Sequence, residues 1–351
     1  MNRGNPVLAI LFTALAVVLA PGDLFAQTFT TLDDPLGVAG TQARGIDGNN
    51  VVGDYLTRGI GPNSPTIIYN GFLYDGSTFT AVTYGHNLQT IVNGISGNNI
   101  VGFGLQVTAS QFGTSSETFG FLYNGSSYTN LSFPMSQNTE AWGISGNNIV
   151  GFYGPDNYYF PNISSGHGFI YNILTSTYTT LDDPLGVDGT YALGISGNNI
   201  VGYYVDGSSY LHGFLYNGTT YTTLDDPFAS EFNNPSYGAN GGTFASGISG
   251  NNIVGYYEDD SGEDHGFVYN ILSATYTTFD DPLSGVGLHS EAFGIDGNNV
   301  VGDYESGTGP YLADGYIASL SVPEPSSIVL FGPAAIGFAV VARRKMRTQA
   351  A

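Results

Sequence analysis

The sequence predicts an all-β chain folded as a six-bladed β-propeller, closed by its N-terminal strand, with a signal peptide before it and a C-terminal single transmembrane helix after it. Three observations predict it. The composition is rich in strand and turn formers, one nine-residue motif recurs six times, and the strand count balances only if the two ends of the body meet. Of 351 residues, 25 are Tyr, 22 Phe and 51 Gly, with 42% hydrophobic and 10% charged residues. Such a chain is too aromatic to stay disordered. Tyr, Phe, Thr, Val and Ile favour strands, while Gly and Asn favour tight turns.

The motif reads Gly-Ile-Ser-Gly-Asn-Asn-Ile-Val-Gly from Gly94, Gly143, Gly194 and Gly247. With Asp for Ser and Val for Ile it begins at Gly45 and Gly294. The intervals are 49, 49, 51, 53 and 47 residues. Each copy predicts strand A, a turn at Ser/Asp-Gly-Asn, and strand B. Gly-Phe-Leu-Tyr or a close variant follows as strand C, then an Asp-Gly, Asn-Gly or Asn-Ile-Leu turn, then a Tyr-Thr-Thr-Leu-like strand D. Four antiparallel strands at a period near fifty mark a propeller blade. Strand B is apolar on both faces (Ile253 and Tyr257 against Val254 and Tyr256), as stacked blades require. Strand A carries Ala43, Ala141, Ala192, Ala245 and Ala292, with Val92 the exception, expected where inner strands crowd the axis.

The last unit has no strand D before Ser321, yet Thr28–Leu32 reads as a strand D without a unit. Pairing the two completes a sixth blade and removes an open sheet edge. The motif glycines Gly48, Gly97, Gly146, Gly197, Gly250 and Gly297 are therefore turn residues. None opens a helix, so no nucleotide loop is implied.

The ends divide from the body. Residues 1–26 read as a signal peptide: Arg3, an apolar run from Val7 to Ala20, and cleavage after Ala26. The body, 27–321, has no Cys although export carries it to an oxidising space. Between Gln27 and Val322 there are 27 acids and two cations, Arg44 and Arg58, a balance of 2 − 27 = −25. So acidic a body excludes binding to nucleic-acid phosphates without a bridging metal.

Residues 322–351 carry Val-Pro-Glu-Pro-Ser-Ser, an apolar membrane helix over 326–342, and a basic cluster at Arg343, Arg344 and Lys345. This tail resembles the PEP-CTERM sorting signal of Gram-negative bacteria, with Pro323, Glu324 and Pro325 as its motif. The resemblance implies recognition by exosortase, an inner-membrane-anchored precursor, and delivery to the cell surface or extracellular matrix. The units also resemble extracellular HAF repeats through His167–Tyr171, His212–Tyr216 and His265–Tyr269, a likeness that bears on fold and not on chemistry.

Candidate chemistry is sparse. His167, His212 and His265 occupy one position in three different units and are read as structural. Asp33-Asp34, Asp182-Asp183, Asp225-Asp226 and Asp280-Asp281 all precede Pro at the end of strand D. They read either as turn formers or as a Ca²⁺-binding rim. No Gly-x-Ser-x-Gly elbow and no arginine cluster is present. The expected function is that of a non-catalytic surface or matrix protein binding glycan (exopolysaccharide), Ca²⁺ or another surface protein. The alternative is a secreted hydrolase with a site in the propeller channel. The irregular B–C loops 56–70, 105–119 and 154–165 are where asymmetric function is expected.

Overall fold

A computed structural model describes residues 28–320 except 60–66, 87, 111–112, 155–165, 231–232, 235–238, 286–288 and 306–312. Residues 1–26, expected as a signal peptide, and the whole of 322–351, with its expected membrane helix, lie outside the described residues. Among the described residues every regular element is a strand, and no helix is long and apolar enough to cross a membrane.

The chain opens with β1 (Thr28–Thr31). The first unit then runs β2 (Gly40–Asp47), β3 (Asn50–Arg58), β4 (Ile67–Tyr74) and β5 (Phe79–Val82). The second is β6 (Gln89–Ser96), β7 (Asn99–Ser110), β8 (Gly113–Tyr123) and β9 (Tyr128–Leu131). The third is β10 (Asn138–Ser145), β11 (Asn148–Gly154), β12 (His167–Asn172) and β13 (Thr177–Leu181). The fourth is β14 (Gly189–Ser196), β15 (Asn199–Val205), β16 (Tyr210–Tyr216) and β17 (Tyr221–Leu224). After the short β18 (Asn233–Asn234) come β19 (Ala239–Ser249), β20 (Asn252–Glu258), β21 (Asp264–Asn270) and β22 (Thr275–Thr278). The last group is β23 (Ser290–Asp296), β24 (Asn299–Glu305) and β25 (Ala313–Ser319).

Within each unit the strands pair in sequence order and antiparallel, giving a propeller-like array. The second and third units are separate four-stranded sheets, while short parallel pairings β16–β19 and β2–β25 join the fourth unit to the fifth and the last to the first. β25 takes β1 as its outer partner, in the register Thr28↔Ser319 to Thr31↔Tyr316. Leu32 continues the pairing by donating its N–H to the Gly315 carbonyl at 2.7 Å.

Each motif turn holds its Gly at φ between 57° and 60°, the left-handed region that Gly enters without strain. The motif Ser/Asp has a second use. Asp296 accepts the Gly48 N–H at 2.8 Å, Ser145 the Gly197 N–H at 3.2 Å, and Ser249 the Gly297 N–H at 3.0 Å. Each of these turns is thereby tied to the turn of the next unit in the array, the last to the first.

The inner strands come closer still. A Cβ on Gly45, Gly94, Gly143, Gly194, Gly247 or Gly294 would stand 2.6–2.7 Å from a backbone carbonyl of the neighbouring unit. The first Gly of the motif therefore permits unit–unit contact and the second permits the turn.

The core lies between sheets. Val101, Ala141, Ile149 and Phe169 form one cluster, and Val201, Ala245, Ile253 and Phe267 another, each spanning two units. The strand A alanines Ala43, Ala141, Ala192, Ala245 and Ala292 each belong to one of these inter-sheet layers. The 105–119 segment, expected as an irregular loop, is instead a β-hairpin that continues β7 and β8 in unbroken register to Ser110↔Gly113. Most of the 154–165 loop lies outside the described residues.

Candidate functional site on the inner strands

Every strand A carries a β-bulge at the residue before the motif Gly: Arg44, Asn93, Trp142, Leu193, Ser246 and Phe293. A bulge sets two residues against one and re-aims the side chain between them. Strand A contributes a second level at Gln42, Ile91, Glu140, Tyr191, Phe244 and Glu291. Strand B contributes a third at Asp54, Phe103, Phe152, Tyr203, Tyr256 and Asp303, each directly after the last Gly of the motif.

These levels divide into a polar sector and an aromatic arc. In the polar sector Arg44 Nε donates to Asp54 Oδ1 at 2.8 Å and Arg44 Nη2 to Gln42 Oε1 at 2.8 Å. Gln42 Nε2 donates to Asp303 Oδ2 at 2.8 Å. The aromatic arc is continuous. Phe103, Trp142, Phe152, Tyr191, Tyr203, Phe244, Tyr256 and Phe293 follow one another at centroid separations of 4.5–6.4 Å. The Arg44 guanidinium then lies 5.4 Å from the Phe293 centroid, within reach of a cation–π contact. Trp142, Phe152, Tyr256 and Phe293 keep part of their surface open to solvent.

Charge here is unbalanced. Arg44 faces four carboxyls, and its guanidinium is used by Asp54 and Gln42. Burial opposes the Arg44 charge, but Asp54 and Asp303 hold it protonated, above its ordinary range. Burial pushes Glu140 up to about 8, against hydrogen bonds from Trp142 and Thr118. Burial likewise raises Asp303 to about 7 and, with Asp303 and Asp264 adding repulsion, raises Glu291 well above the carboxylate range. Asp54 is raised by burial, with Arg44 opposing. Desolvation disfavours the charged form, and one cation cannot compensate four acids. On the inner strands three buried polar atoms lack a partner among the described residues: Asp54 Oδ2, Asn93 Oδ1 and Ser246 Oγ. Asp54, Glu140 and Asp303 are buried, as are Phe103, Tyr191, Tyr203 and Phe244. The partly open Trp142, Phe152, Tyr256, Phe293 and Glu291 present aromatic faces and a carboxyl, which suits a hydroxyl-rich neutral ligand.

The Asp-Asp-Pro residues divide between two tasks. In each pair the second Asp is buried and opens a turn. Its Oδ1 accepts the N–H two residues on, at 2.8 Å for Asp34, 2.9 Å for Asp183, 2.9 Å for Asp226 and 2.8 Å for Asp281. Their own N–H groups are capped by Thr41, Thr190, Thr243 and Ser290 of the next strand A. The first Asp meets the strand C His of its own unit: His167 Nδ1 with Asp182 at 3.0 Å, His212 with Asp225 at 3.1 Å, and His265 with Asp280 at 2.9 Å. Asp33 has no His opposite it. Asp314 stands there instead, and burial followed by that repulsion raises the Asp33 pKa. The three His are thus each paired within their own unit.

The inner-strand carboxyls were not among the residues expected from sequence. A signal for two of them exists: the residue after the last motif Gly is Asp in the first and last units, as Asp54 and Asp303, and aromatic in the other four. The bulge that places Arg44 and Trp142 leaves no mark in the sequence pattern.

Residues 321–345 match the PEP-CTERM protein-sorting motif. Pro323, Glu324, Pro325, Arg343, Arg344 and Lys345 all fall within that match. No curated protein sequence matches the chain. Among solved structures, the acylaminoacyl peptidase of Pyrococcus horikoshii is 8% identical, over 79% of this chain and 51% of its own, with a TM-score of 0.47. The chain thus spans about half the length of that peptidase. The β-propeller domain of the trilobed protease from Pyrococcus furiosus is 9% identical, over 82% and 99% of the two chains, with a TM-score of 0.43. A mutant Aleuria aurantia lectin in complex with α-methyl-L-fucoside is 15% identical, over 72% and 76%, with a TM-score of 0.39.

Proposed function

Since the chain carries a sorting motif that implies an exported, exosortase-processed precursor, we propose that it is a non-catalytic surface or matrix protein binding a neutral glycan through its inner-strand site. In this reading the units are six blades of one ring closed by β1. The β1–β25 pairing and the approach of Gly294 to the Arg44 carbonyl support closure. The observation that carries the glycan reading is the arc of eight rings running into Arg44, set beside carboxyls that burial holds partly protonated. Aromatic faces suit the apolar faces of sugar rings, and carboxyls bond their hydroxyls in either protonation state. The placement at the surface of a Gram-negative cell, in contact with exopolysaccharide, belongs to the same proposal. The rim Asp residues other than Asp33 are assigned to turns and His pairs, and Ca²⁺ is no part of the proposal.

One observation favours the hydrolase reading. A carboxyl raised as far as Glu140 is the form a general acid takes in glycoside cleavage. A single experiment separates the two. The full chain, Trp142→Ala and Glu140→Gln are assayed by calorimetry against exopolysaccharide from the producing cells, with reducing ends counted over time. Expected are binding without new reducing ends and at least tenfold weaker binding by Trp142→Ala. Reducing ends released by the parent and not by Glu140→Gln would establish the hydrolase. Equal binding by parent and Trp142→Ala would remove the inner-strand site from the function.

A further inference from the structure

The fifth unit assembles a second group of ligand-type side chains, away from the inner strands. Asp259, Glu263 and His265 each offer one atom, and the three atoms lie within 4.8 Å of one another. Asp259 follows the end of β20, and its Oδ1 accepts the N–H of Ser261 at 2.8 Å and of Glu263 at 3.0 Å. That turn folds Glu263 back beside Asp259. His265 stands on β21 opposite Tyr257 and stacks on its ring at 5.3 Å. Its Nδ1 meets Asp280 Oδ2 at 2.9 Å, while Nε2 faces Asp259 Oδ2 at 3.5 Å. A carboxylate on Nδ1 holds the proton there and leaves the Nε2 lone pair for a metal, as in carboxylate–histidine–metal arrangements. The side chains of His265 and Asp259 are 25% and 27% exposed, so an ion can reach them.

The fourth unit is an internal comparison. Asp206 again opens the turn and accepts two N–H groups, from Ser208 at 2.8 Å and Tyr210 at 2.9 Å. His212 again stacks on a Tyr, Tyr204, at 5.0 Å. Its Nδ1 meets Asp225 at 3.1 Å and its Nε2 lies 3.7 Å from Asp206. The difference is Tyr210 where the fifth unit has Glu263. Turn, stacked His and orienting carboxylate are therefore shared by these two units, and the third ligand is an addition in the fifth.

We propose that Asp259, Glu263 and His265 bind one divalent transition-metal ion of the Zn²⁺ class, with Asp280 orienting the imidazole. Three protein ligands, one nitrogen and two oxygens, suit Zn²⁺ with a coordination position left open. Ca²⁺ is disfavoured because it takes six to eight oxygens and no imidazole.

The test is calorimetric titration of the metal-free full chain with ZnCl₂. One ion per chain is expected. Glu263→Gln, whose melting in metal-free buffer should match the parent, is expected to weaken binding at least tenfold, and His265→Gln likewise. His212→Gln should leave binding unchanged. Tyr210→Glu completes the fourth unit's set and should raise the stoichiometry to two. Unchanged affinity in Glu263→Gln, a single ion in Tyr210→Glu, or displacement of Zn²⁺ by an equal concentration of Ca²⁺ would each overturn the assignment.

Discussion

Individual carboxyls on the inner strands make the sharpest prediction. Glu140 is 1% exposed and its pKa rises to about 8 from an ordinary 4.5. Its folded value lies above its unfolded value, so the folded state binds the extra proton. The stability that proton carries is fully present below pH 4.5 and is lost as pH rises through about 8. Asp303, raised to about 7, acts in the same direction. The partly compensating charge facing Glu140 is Arg44, which stays protonated throughout. Unfolding free energy from urea melts should therefore fall between pH 5 and pH 8, by up to about 1.4 kcal/mol per pH unit from Glu140 alone. Glu140→Gln keeps the shape and removes the titration, so its profile should be distinctly flatter over that range. Parallel profiles for parent and variant would show that Glu140 ionises freely in the folded chain.

At the scale of the strand pair, one motif uses glycine for two different physical reasons. Gly143 has a neighbouring backbone carbonyl 2.6 Å from where its Cβ would be, and a carbonyl in an adjacent sheet cannot swing aside. Gly146 sits in open space at φ 57°. Gly143→Ala should cost about 3 kcal/mol through overpacking. Gly146→Ala should cost about 1 kcal/mol through backbone strain alone. Asn tolerates the left-handed region, so Gly146→Asn should be near neutral, whereas Gly143→Asn should be no better than Ala. Chemical denaturation of the four variants checks this. Similar losses at 143 and 146 would mean that the inner strands are not in the close contact described.

At the scale of the molecule, the question is how the array ends. β1 covers the outer edge of β25, with Phe29 lying 5.0 Å from Phe279 and 5.2 Å from Tyr316. Leu32 is buried in a cluster with Val51, Phe72 and Val301, which joins the first unit to the last. Deleting residues 27–35 should strip that edge, expose those apolar surfaces and convert the protein to aggregates on size-exclusion chromatography. A soluble monomer with unchanged melting would count against the closed ring. The proposed exported role depends on this point, since an open sheet edge invites pairing between copies.

The repeat, the strand order, the turn glycines and the pairing partner of β1 were all legible in the sequence. The first three are local requirements written six times, so the copies confirm one another, and the partner of β1 follows from the one unit that lacks a strand D. The paired tasks of the Asp-Asp-Pro corners were legible only in part. Turn opening is a property of Asp182-Asp183-Pro184 itself, whereas the His167 partner of Asp182 becomes visible only when β12 and β13 pair. The inner-strand site was not legible. Arg44, the Glu140–Trp142 pair and Glu291 lie on strands of three different units, far apart along the chain. Their meeting depends on bulges, which shift which residue of strand A is re-aimed without altering the alternation of apolar positions. The carboxyl pKa shifts follow from that placement. Composition determined that the body is acidic, and only the tertiary structure decided which acids lose their water.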